Sequence, residues 1–371
     1  MSGVQLEIQA IAVVASVACA LPGVFLVLRR RAMMSDAISH SVLLGIVLAF
    51  FLVEDLSSPL LVVGAALAGL LTVWLVELVQ RTGLVREDAA IGLVFPALFS
   101  VGVILVSRYA GSVHLDTDAV LLGEIAFAPF DRFQLLGWDF GPAALVKMSV
   151  VLVLNAALIA VLWKELKLAS FDPALAFALG FSPALLHYAL MALVSVTAVG
   201  AFDAVGSILV VALMVGPPVT AYLLTDRLRT MVALAAGGGA LGAVAGYWLA
   251  HVLDASIAGS IATVIGLEFL GAFLFAPDRG LVALARRRSR QRVRFAETML
   301  AIHLLNHEGR PEAAREARVE HLRELLRWDD AFAERIVRTA RRDGLVVPEN
   351  GSLRLTAAGR ALAAAAIAEA A

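Results

Sequence analysis

Two ionisable residues four positions apart, Asp36 and His40, are the first in the chain that could do chemistry. They stand in Met34-Ser35-Asp36-Ala37-Ile38-Ser39-His40, at the head of an apolar run, and this spacing puts both on one face of a helix. A carboxylate beside an imidazole suits a divalent transition metal, and an ionisable group inside a membrane helix is by default a functional hypothesis. The same residues also fit a quieter role, with Asp36 capping the helix and His40 lying at the membrane interface. The pair is only one or two turns from the helix start, so a site at mid-membrane would need the first two spans to be broken or re-entrant. Within the apolar runs Asp36 with His40 is the only close polar pair that sequence order shows.

Other donors are scattered. His114, Asp116 and Asp118 form a polar loop that could guide a cation inward or simply be solvated. His303 and His307, with Glu308 or His321, could sense a metal or be ordinary exposed residues. Cys19 is the single cysteine and lies in an apolar run, which excludes an internal disulfide and a thiolate cluster. No Gly-Lys-Ser or Gly-Lys-Thr phosphate loop occurs, so the chain cannot bind ATP in the Walker manner. Neither a nucleophile motif nor a metalloprotease motif accompanies the Asp36/His40 pair, so no enzyme chemistry is expected.

The elements that must position these residues are set by composition. Of 371 residues 60% are hydrophobic and 16% charged, and the mean hydropathy is +0.87, more apolar surface than a soluble core absorbs. A bilayer-crossing helix needs about 20 apolar residues, and nine runs qualify, roughly 6–28, 36–53, 59–80, 89–107, 142–163, 184–201, 203–224, 231–252 and 256–276. The first run lacks a basic leader and carries Glu7, so it is expected to be a retained helix. Arg29, Arg30, Arg31, Arg81, Arg86, Lys164, Lys167, Arg227, Arg229 and Arg286 to Arg288 alternate onto one side, which the positive-inside rule makes cytoplasmic. The N-terminus is then outside and the C-terminus in the cytoplasm. Gly238, Gly242 and Gly246 recur every four residues and invite close helix packing within the subunit. Pro217 and Pro218 free the carbonyls of Leu213 and Met214.

Between the fifth and sixth runs, residues 164–183 contain a short free-standing helix. Asp172 is a good N-cap, Pro173 fits the first helical position and Gly180 the residue past the end. Phe171, Phe177 and Phe181 leave apolar knobs that a soluble partner could grip in a groove.

Taken together, Met34 to Gly45, Arg86 to Gly92, Phe171-Asp172-Pro173 with Gly180, and Ala204 to Leu213 with Pro217 resemble the metal-ion permease family of bacterial ABC importers, the zinc, manganese and iron type, across residues 1–276. The resemblance implies a permease subunit in the bacterial inner membrane, paired with a second permease copy or paralogue. It implies cytoplasmic ABC ATPase subunits gripping the Asp172 helix and an extracytoplasmic metal-binding protein delivering the cargo. Asp36 and His40 become pore ligands for a divalent transition metal, which is substrate; no permanently bound cofactor is implied.

The tail is different. From Arg286 onward 17 Arg face 12 Asp and Glu, and Arg286 to Arg294 form a basic strip suited to a membrane surface. The domain reading is a permease over 1–285, a basic linker over 286–294 and a cytoplasmic domain over 295–371. In the last, helices over 295–307, 311–326 and 329–343, then strand, Glu349-Asn350-Gly351 turn and strand, resemble the winged helix of metal-dependent repressors. Asp329, Asp330 and Glu334 among Arg335, Arg338, Arg341 and Arg342 argue for protein contact or regulation over nucleic acid. The expected fold is an all-α polytopic membrane protein of about nine transmembrane helices with a small α+β winged-helix-like cytoplasmic domain. The rival reading is a membrane-anchored, metal-responsive winged-helix regulator, which would have no need of the capped Asp172 helix.

Overall fold

A computed structural model describes residues 3–55, 58–109, 125–135, 138–311, 317–318, 328–349 and 351–370. The chain divides into two compact units, Met1–Gly280 and Leu281–Ala371.

Among the described residues the first unit holds nine helices long and apolar enough to cross a membrane. They are α1 (Gly3–Leu28), α2 (Met33–Val53), α3 (Pro59–Arg81), α4 (Glu87–Tyr109), α5 (Ala143–Val161), then two short helices α6 (Trp163–Phe171) and α7 (Pro173–Ala178), then α8 (Pro183–Val205), α9 (Ser207–Leu224), α10 (Leu228–Leu253) and α11 (Ile257–Phe275). Gly206 alone separates α8 from α9, and its φ of +83° is a conformation that side chains rarely tolerate. The sixth and seventh spans are therefore distinct helices.

α1 is the hub. It packs on α5, α8, α9 and α10, and Ile11, Ala15, Ala18, Cys19 and Phe25 are fully buried. Its apolar surface finds helices on every side, whereas Leu67, Ile104, Val153, Leu241 and Leu267 on the outer helices stay exposed. In water such a surface would aggregate; in a bilayer it is the lipid contact.

Small residues bring the backbones together. A Cβ on Gly246 would fall 2.4 Å from the Ile261 Cα of α11, so the glycine series of α10 packs within the subunit as its spacing predicts. The Met214 carbonyl, which Pro218 frees, lies against Gly23 of α1, where a Cβ would sit 2.1 Å from it. Helix packing covers that carbonyl. Asn155 of α5, wholly buried, donates from Nδ2 to the Ala18 carbonyl (2.8 Å) and to Thr197 Oγ1 (2.9 Å), tying α5 to α1 and α8.

Charge sorts to the two ends of the bundle. One end carries Arg29, Arg31, Glu77, Glu87, His187 and the α6–α7 segment, joined by contacts described below. The other has Arg132 pairing with Glu7 (2.9 Å) and Asp139 (2.8 Å), and Lys147 with Asp203 (2.8 Å). There β1 (Arg132–Leu135) and β2 (Trp138–Pro142) form an antiparallel hairpin. The Gly141 amide and Arg132 hold the Asp139 carboxyl below the usual carboxylate range. Exposed Phe133, Trp138 and Phe140 alternate with these polar residues, an amphipathic pattern suited to the aromatic belt of a bilayer surface.

The second unit opens with α12 (Leu281–His307), followed by α13 (Asp330–Arg342), the antiparallel pair β3 (Val346–Glu349) and β4 (Ser352–Leu355), and α14 (Ala357–Ala370). The basic strip 286–294 lies inside α12 because residues 281–307 contain no Gly or Pro and arginine is a good helix former. Asp329 caps α13 by accepting from the Phe332 amide (2.7 Å). Leu300, Leu304, Ile336, Val346, Leu353 and Leu355 make its core. The expected helix over 311–326 lies largely outside the described residues.

Candidate metal and coupling sites

α2 starts at Met33, and its N-cap position, Ala32, supplies no side-chain cap. Asp36 is therefore inside the first turn and does not cap the helix, which removes that quieter role. Its Oδ1 is 3.4 Å from His40 Nε2, and each side chain is 31% exposed. The His40 ring stacks on Phe95 of α4 at 5.6 Å and meets Phe99 edge-on at 6.2 Å, which fixes its plane. Neither α1 nor α2 is broken, so the pair sits in the first two turns of a continuous helix. Among the described residues no group of three or more His, Cys, Asp or Glu could hold a metal ion. Among the described residues this pair thus offers two donors.

What positions α2 is its seam with α3. A Cβ on Gly45 would lie 2.2 Å from the Gly64 carbonyl, and Thr72 Oγ1 donates to Ser41 Oγ across the same seam at 2.6 Å. We expect Gly45→Val to force the two helices apart and cost about 1–3 kcal/mol, as overpacking does. A lower melting temperature of the purified protein checks this; an unchanged one refutes the tight seam.

The second predicted element forms as its caps dictate. Asp172 Oδ1 accepts from the Leu175 amide at 2.9 Å, Pro173 opens α7, and Gly180 adopts φ +86° while the Phe181 amide returns to the Ala176 carbonyl at 3.1 Å. Beneath α7, Ala169, Ala176 and Leu186 are buried together. Above it, Phe171, Leu175, Phe177 and Leu179 are exposed, Phe177 to 75%. The segment is seated on the bundle by small residues and presents large ones outward.

Sequence order missed a third cluster, and the expectation that Asp36 with His40 is the only close polar pair is corrected here. Glu77 near the end of α3 pairs with Arg31 (2.9 Å) and His187 Nε2 (2.8 Å) through Oε1 and accepts from the Tyr188 hydroxyl (2.8 Å) through Oε2. Arg31 also faces Glu87 at 3.6 Å, too long for a hydrogen bond. Next to it, Arg29 Nε donates to Ser170 Oγ at 3.0 Å. Burial and the nearby Arg31 pull the Arg29 guanidinium down to about 10, which leaves it a cation at neutral pH. An acid and a histidine within apolar runs were the available signal; their distance in sequence hid the pairing.

The remaining donors are only partly described. His114, Asp116 and Asp118 lie outside the described residues, as does His321. The His303 and His307 rings are 4.5 Å apart, but Glu308 turns away to pair with Arg360 at 2.6 Å, which lowers its carboxyl below the usual range.

A bundle of apolar helices lipid-exposed on its flanks, with a two-donor pair and a seated, outward-facing helix, defines a multi-pass membrane permease. The chain belongs to the ABC 3 transport family, which residues 5–276 match. It is 51% identical over 97% of its length to the zinc transport system membrane protein TroD of Treponema pallidum (strain Nichols), covering 98% of that protein. It is 50% identical over 73% of its length to the manganese transport system membrane protein MntD of Bacillus subtilis (strain 168), covering 91% of it. The solved structure of PsaBC from Streptococcus pneumoniae in complex with Fab is similar with a TM-score of 0.64 and 28% identity, covering 77% of this chain and 96% of that one. The regulator reading falls with these findings, since the spans themselves match transport subunits.

Proposed function

We propose that this chain is the membrane permease of an ATP-driven importer for a divalent transition metal (manganese, zinc or iron), with Asp36 and His40 as ligands along its path. The observation that carries the reading is the carboxylate–imidazole pair at 3.4 Å on α2. These donors suit transition metals, and relatives are named for zinc and manganese transport. Such ions take about four to six ligands. Two donors per chain leave the shell open, and a second permease copy or a paralogue brings the same pair to complete it.

The exposed face of α7 receives a cytoplasmic ATPase subunit, which supplies the hydrolysis this chain has no phosphate loop for. The arginine-bearing end is then cytoplasmic and the Glu7–Arg132 end meets the extracytoplasmic metal-binding protein, in a bacterial inner membrane with the N-terminus outside. The test is uptake into vesicles holding permease, ATPase and ATP, with the extracytoplasmic metal-binding protein supplied at the opposite face and manganese, zinc, iron and magnesium offered separately. Accumulation of a transition metal supports the reading; no accumulation, or magnesium alone, refutes it.

The second unit serves as a cytoplasmic regulatory domain of winged-helix type. The MntD match covers about the share of this chain that the first unit occupies and nearly all of that protein, so a relative is complete without such a unit. We expect a chain ending at Gly280 to insert and fold, with a melting temperature within a few degrees of the full chain's, as for loss of an independently folded domain. Aggregation of that chain in mild detergent would contradict it.

A further inference from the structure

The charged end of the bundle joins the two proposed sites through one turn. Arg29, Arg30 and Arg31 connect α1 to α2, and α2 begins two residues after Arg31, bringing Asp36 and His40 in its first two turns. The turn is held from both flanks of the ATPase-docking segment. On the near side Ser170, in the last turn of α6 and just before Asp172, accepts from Arg29. On the far side His187 and Tyr188, in the second turn of α8 and just after Ser182, meet Glu77, which holds Arg31. Residues 171–183 are thus bracketed by two polar contacts that reach Arg29 and Arg31 of the same turn.

The turn is a fixed helix end. Arg30 has φ +60°, the left-handed position that closes α1, with the Arg31 amide returning to the Leu26 carbonyl at 2.9 Å and the Arg30 amide to the Val27 carbonyl at 3.0 Å. His187 Nε2 lies 2.8 Å from the Glu77 carboxylate and 3.1 Å from Arg31 Nη1. A single ring nitrogen can donate to the first or accept from the second, not both, so the contact has two hydrogen-bonding states. A continuous helix start, a tightly capped turn and a junction with two hydrogen-bonding states thus lie in series between the docking segment and the metal pair.

We propose that the Arg29–Arg31 turn transmits movement of the docking segment to the start of α2, with Glu77 as the positioning residue that keeps it engaged, so that ATPase motion changes the setting of Asp36 and His40. This rests on the docking and metal roles proposed above. Glu77 touches neither the metal pair nor the exposed face of α7; it acts through Arg31 and His187.

The test uses the assembled transporter in vesicles, reading metal accumulated per ATP hydrolysed, with ATPase rate and melting temperature measured alongside. Glu77→Gln keeps the shape and removes the charge, and Ser170→Ala removes the acceptor of Arg29. Ser170→Ala also removes the hydroxyl's own bond to the Leu166 carbonyl (2.6 Å) inside α6, so its melting temperature is read beside the ratio. Expected is an ATPase rate within about twofold of wild type and uptake per ATP lowered about tenfold for Glu77→Gln and severalfold for Ser170→Ala, within the usual range of coupling between sites. Wild-type ratios for both variants overturn the proposal. If Glu77→Gln loses uptake, ATPase and thermal stability together, Ser170→Ala decides, and its wild-type ratio also overturns it. Asp172→Ala and His40→Ala run in parallel separate the two levels: if both behave as wild type the underlying reading fails, and if both are defective while Glu77→Gln and Ser170→Ala are normal only the transmission fails.

Discussion

His40→Ala, brought to the membrane at the wild-type level, is expected to take up no metal at limiting concentration, while the complex stays assembled and still hydrolyses ATP. The reason is ligand count. If two copies surround the ion, the substitution removes two of four protein donors at once, and even outer-shell changes at metal sites cost about 10–100-fold. The loss from the inner set is therefore expected to be at least about a hundredfold. Asp36→Ala has the same consequence. The proposed site is expected to prefer transition metals to magnesium, which demands oxygen ligands in octahedral geometry and holds its waters. Phe95 and Phe99 orient the ring without donating to the ion, so Phe95→Leu should weaken uptake far less than His40→Ala. Wild-type uptake by both His40→Ala and Asp36→Ala at equal abundance would take the pair off the path.

Phe177→Asp is expected to release the ATPase that we propose docks on α7. The ring is 75% exposed on a helix whose underside is already seated by Ala169, Ala176 and Leu186, so the substitution leaves the bundle's own packing alone. A buried aromatic anchor at an interface carries about 2 kcal/mol or more, and a carboxylate desolvated in its place adds a further penalty. An affinity loss of at least about thirtyfold follows from that anchor. Asp172→Ala acts differently, removing the acceptor for the Leu175 amide and about 1 kcal/mol of helix start, so it loosens the partner without abolishing contact. Co-purification of the ATPase with each variant, together with the ATPase rate of the complex, reads both. Undiminished co-purification with Phe177→Asp would mean the ATPase grips another surface.

Much of this was legible in the order of residues, and the reason is local. Spans announce themselves because about 20 contiguous apolar residues are needed wherever the helix lies, and among the described residues nine such helices stand at the nine expected places. The α7 caps were readable because an N-cap, a first-turn proline and a left-handed glycine act within a few residues of one another, and Asp172, Pro173 and Gly180 do so here. Asp36 and His40 were readable because four residues is one helical turn.

What only the tertiary structure decided lies between elements. Asp36 could not be kept from a capping role until the start of α2 at Met33 was seen, since helix starts are the least certain feature of a sequence. Gly45 and Gly64 reveal nothing alone; only their packing, in which a Cβ on Gly45 would fall 2.2 Å from the Gly64 carbonyl and one on Gly64 2.6 Å from the Gly45 carbonyl, shows why neither carries a side chain. Asn155 and Thr197 read as isolated polar residues in apolar runs until packing makes them partners. Glu77, Arg31 and His187 come from three stretches of chain, and their attraction falls with distance in space, not in sequence. Local spacing determined which segments fold and which residues share a face, because those forces act within a turn. Packing decided which of these faces meet, because ion pairs and close helix contacts depend on the arrangement of the whole bundle.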